Sequence, residues 1–311
     1  MGVFDEFRKS KDYLICIDSD GCAMDTMDIK HFESFGPCMV REWHLEEWQE
    51  AILARWNEIN LYTMTRGINR FKGLVTALKE IDGAYRKIED LNSLINWVDT
   101  TKELSNAAIE RAIAEKDSLI LKKALAWSVA VNETVKKIPE EKLLPFAGVK
   151  EGIAYAHTKA DIAIVSSANP EAVYDEWERH GLMEHVDIVL AQNAGTKAFC
   201  IGELLKKGYD AHHVLMVGDA PGDRDAADKN GVLYYPILVK REAESWKQFK
   251  DEAVGKFLAG SYEGGLVAHV GYVRAGESCR LTGHHLHIHS IILLDVAQMY
   301  VEYLYAVLEL W

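Results

Sequence analysis

Two hydrophobic rhythms alternate along this chain. Apolar runs at residues 13–17, 162–165, 187–191, 214–217 and 232–239 have strand length and are bounded by turn residues. Around and between the last four, apolar positions recur at helical spacing over residues 149–159, 171–180, 197–207 and 224–229. Strands alternating with helices predict an α/β fold, a doubly wound parallel (Rossmann-like) sheet. Residues 28–139 keep only the helical rhythm. Trp43, Leu45, Trp48, Ile52, Trp56 and Ile59 predict a helix over 42–62, and Phe71, Leu74, Val75 and Leu78 another over 69–81. Residues 105–114 and 118–138 read as two more, opened by Ser105 and Ser118 as caps. The tryptophan stripe reads as helix-packing core.

The expected division is an α/β core from residues 1–27 and 140–260, an inserted all-helical domain over 28–139, and an atypical C-terminal extension over 261–311. Residues 240–259 read as an amphipathic helix. The extension passes through His284, His285, His287 and His289 and ends in a run, 291–311, long enough to span a bilayer. Asp295, Glu302 and Glu309 would be costly in lipid, so a packed helix is the preferred reading. The histidines offer metal donors, but a surface cluster explains them as simply. All predicted strands end by Val239, so residues 265–311 are expected to be dispensable for chemistry.

Composition narrows the partners. A hydrophobic content of 49% supports a large core, and a formal charge of −13 argues against a nucleic-acid partner. An acidic protein with an anionic substrate must concentrate positive charge locally, through a metal and a few Lys or Arg. The 5 cysteines are odd in number and lack metal-ligand spacing. Together with a polar stretch over residues 1–11 that has no apolar signal core, they suggest a cytoplasmic protein without a membrane partner.

The candidate chemistry starts where the first apolar run ends, in Asp18-Ser19-Asp20-Gly21. Two carboxylates at the carboxyl end of a strand sit where open α/β sheets place ligands, and they suit a divalent cation with acid/base or nucleophilic work. A calcium EF-hand loop is excluded, because Cys16 and Met27 would fill its first and last ligand positions. Three further segments follow predicted strands: Ser166-Ser167, Lys197, and Gly218-Asp219-Ala220-Pro221-Gly222-Asp223. A strand-end serine can merely cap a turn, a lysine can be solvated, and aspartates can cap helices. All of them in this order point instead to one crevice.

In motif type, order and spacing the set resembles the haloacid dehalogenase superfamily over residues 11–240. Asp-x-Asp-Gly, a serine after an apolar strand, an isolated lysine and Gly-Asp-x-x-x-Asp resemble its successive motifs. A helical insert directly after the first resembles its C1-type cap, in the phosphatase and β-phosphoglucomutase-like branch. Cys22 and Ala23 depart from the bulkier residues usual after Asp-Gly. The resemblance implies Asp18 as a nucleophile forming an aspartyl-phosphate, and Asp20 as general acid and base. It also implies Mg²⁺ held by Asp18, the backbone carbonyl of Asp20 and Asp219, with Asp223 in support. Ser166 and Lys197 would bind the transferred phosphoryl group, joined by Gly21 and Ser167. The basic turn Thr65-Arg66-Gly67-Ile68-Asn69-Arg70 lies between two insert helices, and Arg66, Asn69 and Arg70 are its candidates for substrate contact or for pairing with surface acids. The implied activity is a Mg²⁺-dependent phosphatase for a small phosphorylated metabolite. Alternatives are a phosphomutase, a phosphonatase (needing a cap lysine such as Lys72 or Lys79) or a catalytically idle binding protein. The second Asp argues against the dehalogenating branch.

Overall fold

A computed structural model describes residues 2–101 and 103–262. The histidine cluster and the terminal apolar run lie outside the described residues.

The first strand, β1 (Leu14–Ile17), takes the centre of a five-stranded parallel sheet. Around it stand β2 (Asp161–Val165), β3 (Ile188–Leu190), β4 (Val214–Gly218) and β5 (Leu233–Pro236), in the order β3-β2-β1-β4-β5. Ile15 is registered between Ile162 and Leu215. Successive side chains of a strand face opposite ways, and both faces of β1 are buried. Ile15 and Ile17 pack with Ile153, Trp177 and Trp246, while Leu14 and Cys16 pack with Ile201, Leu204 and Met216. The doubly wound sheet expected from the alternating runs is the observed one. Its last strand is shorter than the apolar run 232–239, because β5 is an edge strand that ends at Pro236, where a missing N–H costs no ladder bond.

Between β1 and β2 the chain is helical, with its own core built on Trp56, Trp127, Phe71, Leu74 and Leu78. The stretch 42–62 is not one helix. A helix Gly36–Trp43 stops at His44, which turns left-handed at φ 53°, and the chain restarts at Gln49–Asn57. A further helix, Leu91–Thr100, buries Leu91, Leu94, Trp97 and Val98 and was not expected. The expected helix over 240–259 is present as one run from Glu242 to Leu258, with a π-helical turn, Phe249–Ala253, in its middle. Its start is delayed by Lys240 at φ 67°. Where the chain leaves and re-enters the sheet layer the two crossings clasp each other: Asp25 N–H donates to Leu144 O at 2.8 Å, and Phe146 N–H to Ala23 O at 3.0 Å. Cys22 and Ala23, both fully buried, fill this segment, and the Trp246 indole donates to Cys22 O at 2.9 Å.

At the amino end of β2, far from the ligand end of the sheet, the carboxylate of Asp161 accepts from Ser10 N (2.9 Å), Lys11 N (3.0 Å) and the Tyr209 hydroxyl. Burial raises its pKa, but these donors outweigh burial and hold it below the usual range. Asp161→Asn should cost about 2–3 kcal/mol, the scale of a buried charge-assisted acceptor lost. Urea unfolding would show this, with turnover unchanged; full stability would mean the N-terminal segment is not held here.

Candidate active site

The carboxyl end of β1 delivers Asp18, whose N–H donates to Val217 O at 3.0 Å. Asp219 follows β4, and Asp223 lies in the first turn of the helix Pro221–Asn230, where its carboxylate accepts from Ala220 N at 3.0 Å. Gly218 is required here, since a Cβ would collide with the Asp223 carboxylate. Lys197 opens the helix Lys197–Leu205, capped by Thr196, and its ammonium bridges Asp18 at 2.7 Å and Asp223 at 2.5 Å. Carboxylate oxygens of Asp18, Asp219 and Asp223 lie within 4.8 Å of one another, all on buried residues. Burial pushes the pKa of Asp18 up to about 6; Lys197 pulls it down and Asp223 pushes it further up. Asp219 is likewise raised to about 6 by burial, with Arg66 opposing and Asp18 reinforcing the rise. Burial lowers the Lys197 pKa, but Asp18 and Asp223 more than restore it, so its ammonium stays charged.

These carboxylates suit a hard divalent cation on an observation of their own: Asp219 Oδ1 is buried and meets no hydrogen-bond donor among the described residues. A carboxylate oxygen left so in a crowded acidic pocket is a ready ligand for Mg²⁺, which takes few carboxylates and keeps water and phosphate oxygens.

The Asp20 side chain turns the other way. Its carboxylate accepts from Thr26 Oγ1 at 2.6 Å and pairs with Lys30 at 2.7 Å. Lys30 also pairs with Glu176 at 2.6 Å, and both are buried. Burial raises the Asp20 pKa, but Lys30 and Thr26 bring it below the ordinary value. The sequence reading missed Thr26, Lys30 and Glu176. Their signal was slight: a threonine and a lysine where the first motif joins the insert, and a glutamate among exposed ones.

Above the carboxylates opens a cavity of about 450 Å³ whose lining includes Asp18, Asp20, Ser166, Ser167, Lys197 and, from the insert, His31, Asn69 and Arg70. Ser166 Oγ accepts from Ala168 N at 3.2 Å, so it caps the turn while lining the cavity. Asn69 caps the helix Arg70–Ala84 and donates to Leu104 O at 3.0 Å. Arg70 donates to Asn132 Oδ1 at 2.7 Å and lies over the Phe35 ring, 5.0 Å from its centroid. Among the described residues it pairs with no surface acid. Burial lowers its pKa to about 10, and Asp20 opposes the shift, so it remains charged. His31, which sequence reasoning did not single out, accepts the Trp56 indole N–H on Nδ1 at 3.0 Å, so its proton sits on Nε2. Burial holds the ring neutral, its pKa lowered to about 3.

Arg66 corrects the expectation for the basic turn. It is not part of the cavity lining. Its Nε donates to Asp219 Oδ2 at 2.7 Å, with both side chains buried. Gly21, at φ 81°, makes room: a Cβ there would lie 2.6 Å from Asp219 Oδ2 and 2.7 Å from Arg66 Nη2.

Residues 96–235 match the haloacid dehalogenase-like hydrolase family. Among curated proteins, none matches the sequence. Similar solved structures include a candidate β-phosphoglucomutase from Thermotoga maritima, 14% identical, covering 79% of this chain and 97% of that one, at a TM-score of 0.45. A predicted phosphoglycolate phosphatase from Haemophilus somnus 129pt is 14% identical, with coverages of 74% and 87% and a TM-score of 0.46. A haloacid dehalogenase-like family hydrolase from Xanthomonas campestris is 12% identical, with coverages of 80% and 98% and a TM-score of 0.42.

Proposed function

We propose that this haloacid dehalogenase-like hydrolase, matched as such over residues 96–235, is a Mg²⁺-dependent phosphatase of a small phosphorylated metabolite. The observation that carries the reading is Asp18 at the cavity floor, 2.7 Å from the Lys197 ammonium and grouped with Asp219 and Asp223. The charge of −13 speaks against a nucleic-acid partner, and no helix among the described residues is long and apolar enough to cross a membrane.

Asp18 would be the nucleophile toward phosphorus. With a pKa near 6 it is ionised at neutral pH, yet it is less diffusely solvated than a surface carboxylate. Lys197, and the Ser166 hydroxyl on the cavity wall, would meet phosphoryl oxygens as charge builds on them. Asp20 would donate a proton to the leaving oxygen and later take one from water. To carry that proton it must relinquish its ion pair with Lys30, which favours the ionised form. Asp18, Asp219, Asp223 and the Asp20 backbone carbonyl would hold Mg²⁺, which when bound neutralises charge between carboxylates and phosphoryl oxygens. The insert would act as a cap, with Arg70, Asn69 and the neutral His31 facing the alcohol part of the substrate.

Phosphate release from a panel of phosphorylated metabolites and from p-nitrophenyl phosphate tests the reading. Turnover is expected with Mg²⁺ and should fall at least about a hundredfold in excess chelator. Full activity in chelator would remove the metal; transfer of phosphate to a sugar acceptor in place of water would make the protein a mutase.

A pH signature follows from the raised carboxylates. Asp18 and Asp219, normally near 4, have pKa values of about 6 in the fold, so their ionisation costs folding stability as pH rises toward 7 and is relieved as pH falls below 6. A divalent cation recovers that cost only where they are ionised. The rise in Tm with Mg²⁺ should therefore be large at pH 7.5 and small at pH 5, by differential scanning fluorimetry. An increment independent of pH would place the metal elsewhere.

A further inference from the structure

We propose that Arg66 sets the affinity of the carboxylate centre for its divalent cation, by neutralising Asp219 in competition with the metal. This rests on the metal-dependent reading above. Arg66 belongs to the helical insert and Asp219 to the end of β4, yet their side chains meet at 2.7 Å and are only 3% and 1% exposed. The guanidinium is also held from its own side, Nη1 donating to Leu61 O at 2.9 Å. It is therefore delivered to the carboxylates in a fixed orientation, beside the space that Gly21 leaves open.

Charge accounting gives the direction of the effect. Three carboxylates, Asp18, Asp219 and Asp223, face two cations, Lys197 and Arg66. A divalent ion added to that set leaves an excess of positive charge in a buried place, where like charges are poorly screened. The same ion with Arg66 withdrawn leaves the set balanced. Lys197 is not the group to leave, because it bridges Asp18 and Asp223 at once. Asp219 Oδ1, buried without a donor, can take the metal while Oδ2 gives up the guanidinium. Arg66 is thus a positioning residue acting through Asp219, and binding of the ion at the core and docking of the turn on the insert are reciprocally linked.

The test is Mn²⁺ binding to the full-length protein without substrate, read from the loss of the free-ion electron paramagnetic resonance signal. Arg66→Gln should bind Mn²⁺ at least tenfold tighter than wild type. Arg66→Lys, which keeps the charge but cannot grip Asp219 and Leu61 O together, should fall between them. Circular dichroism checks the fold; if the Gln variant does not fold, the Lys variant decides. Asp219→Asn should bind at least tenfold more weakly. Affinity unchanged or weakened in the folded Arg66 variants, with Asp219→Asn impaired, would make Arg66 a plain structural tie and overturn the proposal. Unimpaired binding in Asp219→Asn would instead remove the metal assignment on which it rests, and the proposal with it.

Discussion

Asp18→Asn should abolish turnover, by at least ~10⁴-fold, while leaving the protein folded. The amide is too weak a nucleophile to attack phosphorus; its neighbour Lys197 is charged, and Asp223 is engaged by Lys197 and Ala220 N. Stability should hold or rise. The substitution removes a desolvated charge that faces Asp223, and Lys197 keeps Asp223 as a partner. Phosphate release and a thermal melt decide the matter. Near-wild-type turnover would show that another group attacks, and the mechanism would fail with it.

Asp20→Asn should behave differently. The nucleophile survives, but protonation of the leaving oxygen and activation of water are both impaired, a loss of about 10²–10⁴-fold. A substrate with a good leaving group, such as p-nitrophenyl phosphate, needs little help in the first step. The variant should then accumulate phosphate on Asp18, visible as an added phosphoryl mass after rapid acid quench. A variant that turns over normally, or carries the phosphate on another residue, would dismiss Asp20 from both proton transfers. The substitution also removes the Lys30 partner, leaving that buried ammonium on Glu176 alone. Some loss of stability is therefore expected, and the melt separates it from the chemical defect.

The sheet could be read in the sequence because its strands are short apolar runs cut by helices, and that signal depends on burial alone. The acidic motifs were legible for the same reason, since each follows a strand whose end is fixed. What stayed hidden depends on tertiary contact. Nothing in the sequence says that Lys30 will sit between Asp20 and Glu176, because those residues come from three separate elements. Nor does the turn 65–70 reveal that its first arginine reaches Asp219 while its second stays on the cavity wall. The left-handed residue His44 ended a helix where the hydrophobic spacing ran on, and Lys240 delayed the start of another, since periodicity does not register a single residue of positive φ.

The central place of β1 also has a consequence for biosynthesis. The strand that carries Asp18 leaves the ribosome first, yet both neighbours that must flank it, starting at Asp161 and Val214, are made much later. At translation speeds of about 5–20 residues per second, β1 spends many seconds as an apolar strand with two open edges. Over the same interval the insert, which has a core of its own, is completed and can fold locally. The nascent chain thus carries a finished helical domain beside an unfinished sheet. Asp18 gains Lys197 and Asp223 only when nearly the whole sheet-forming sequence has emerged, so this buried cluster is assembled among the last features of the fold.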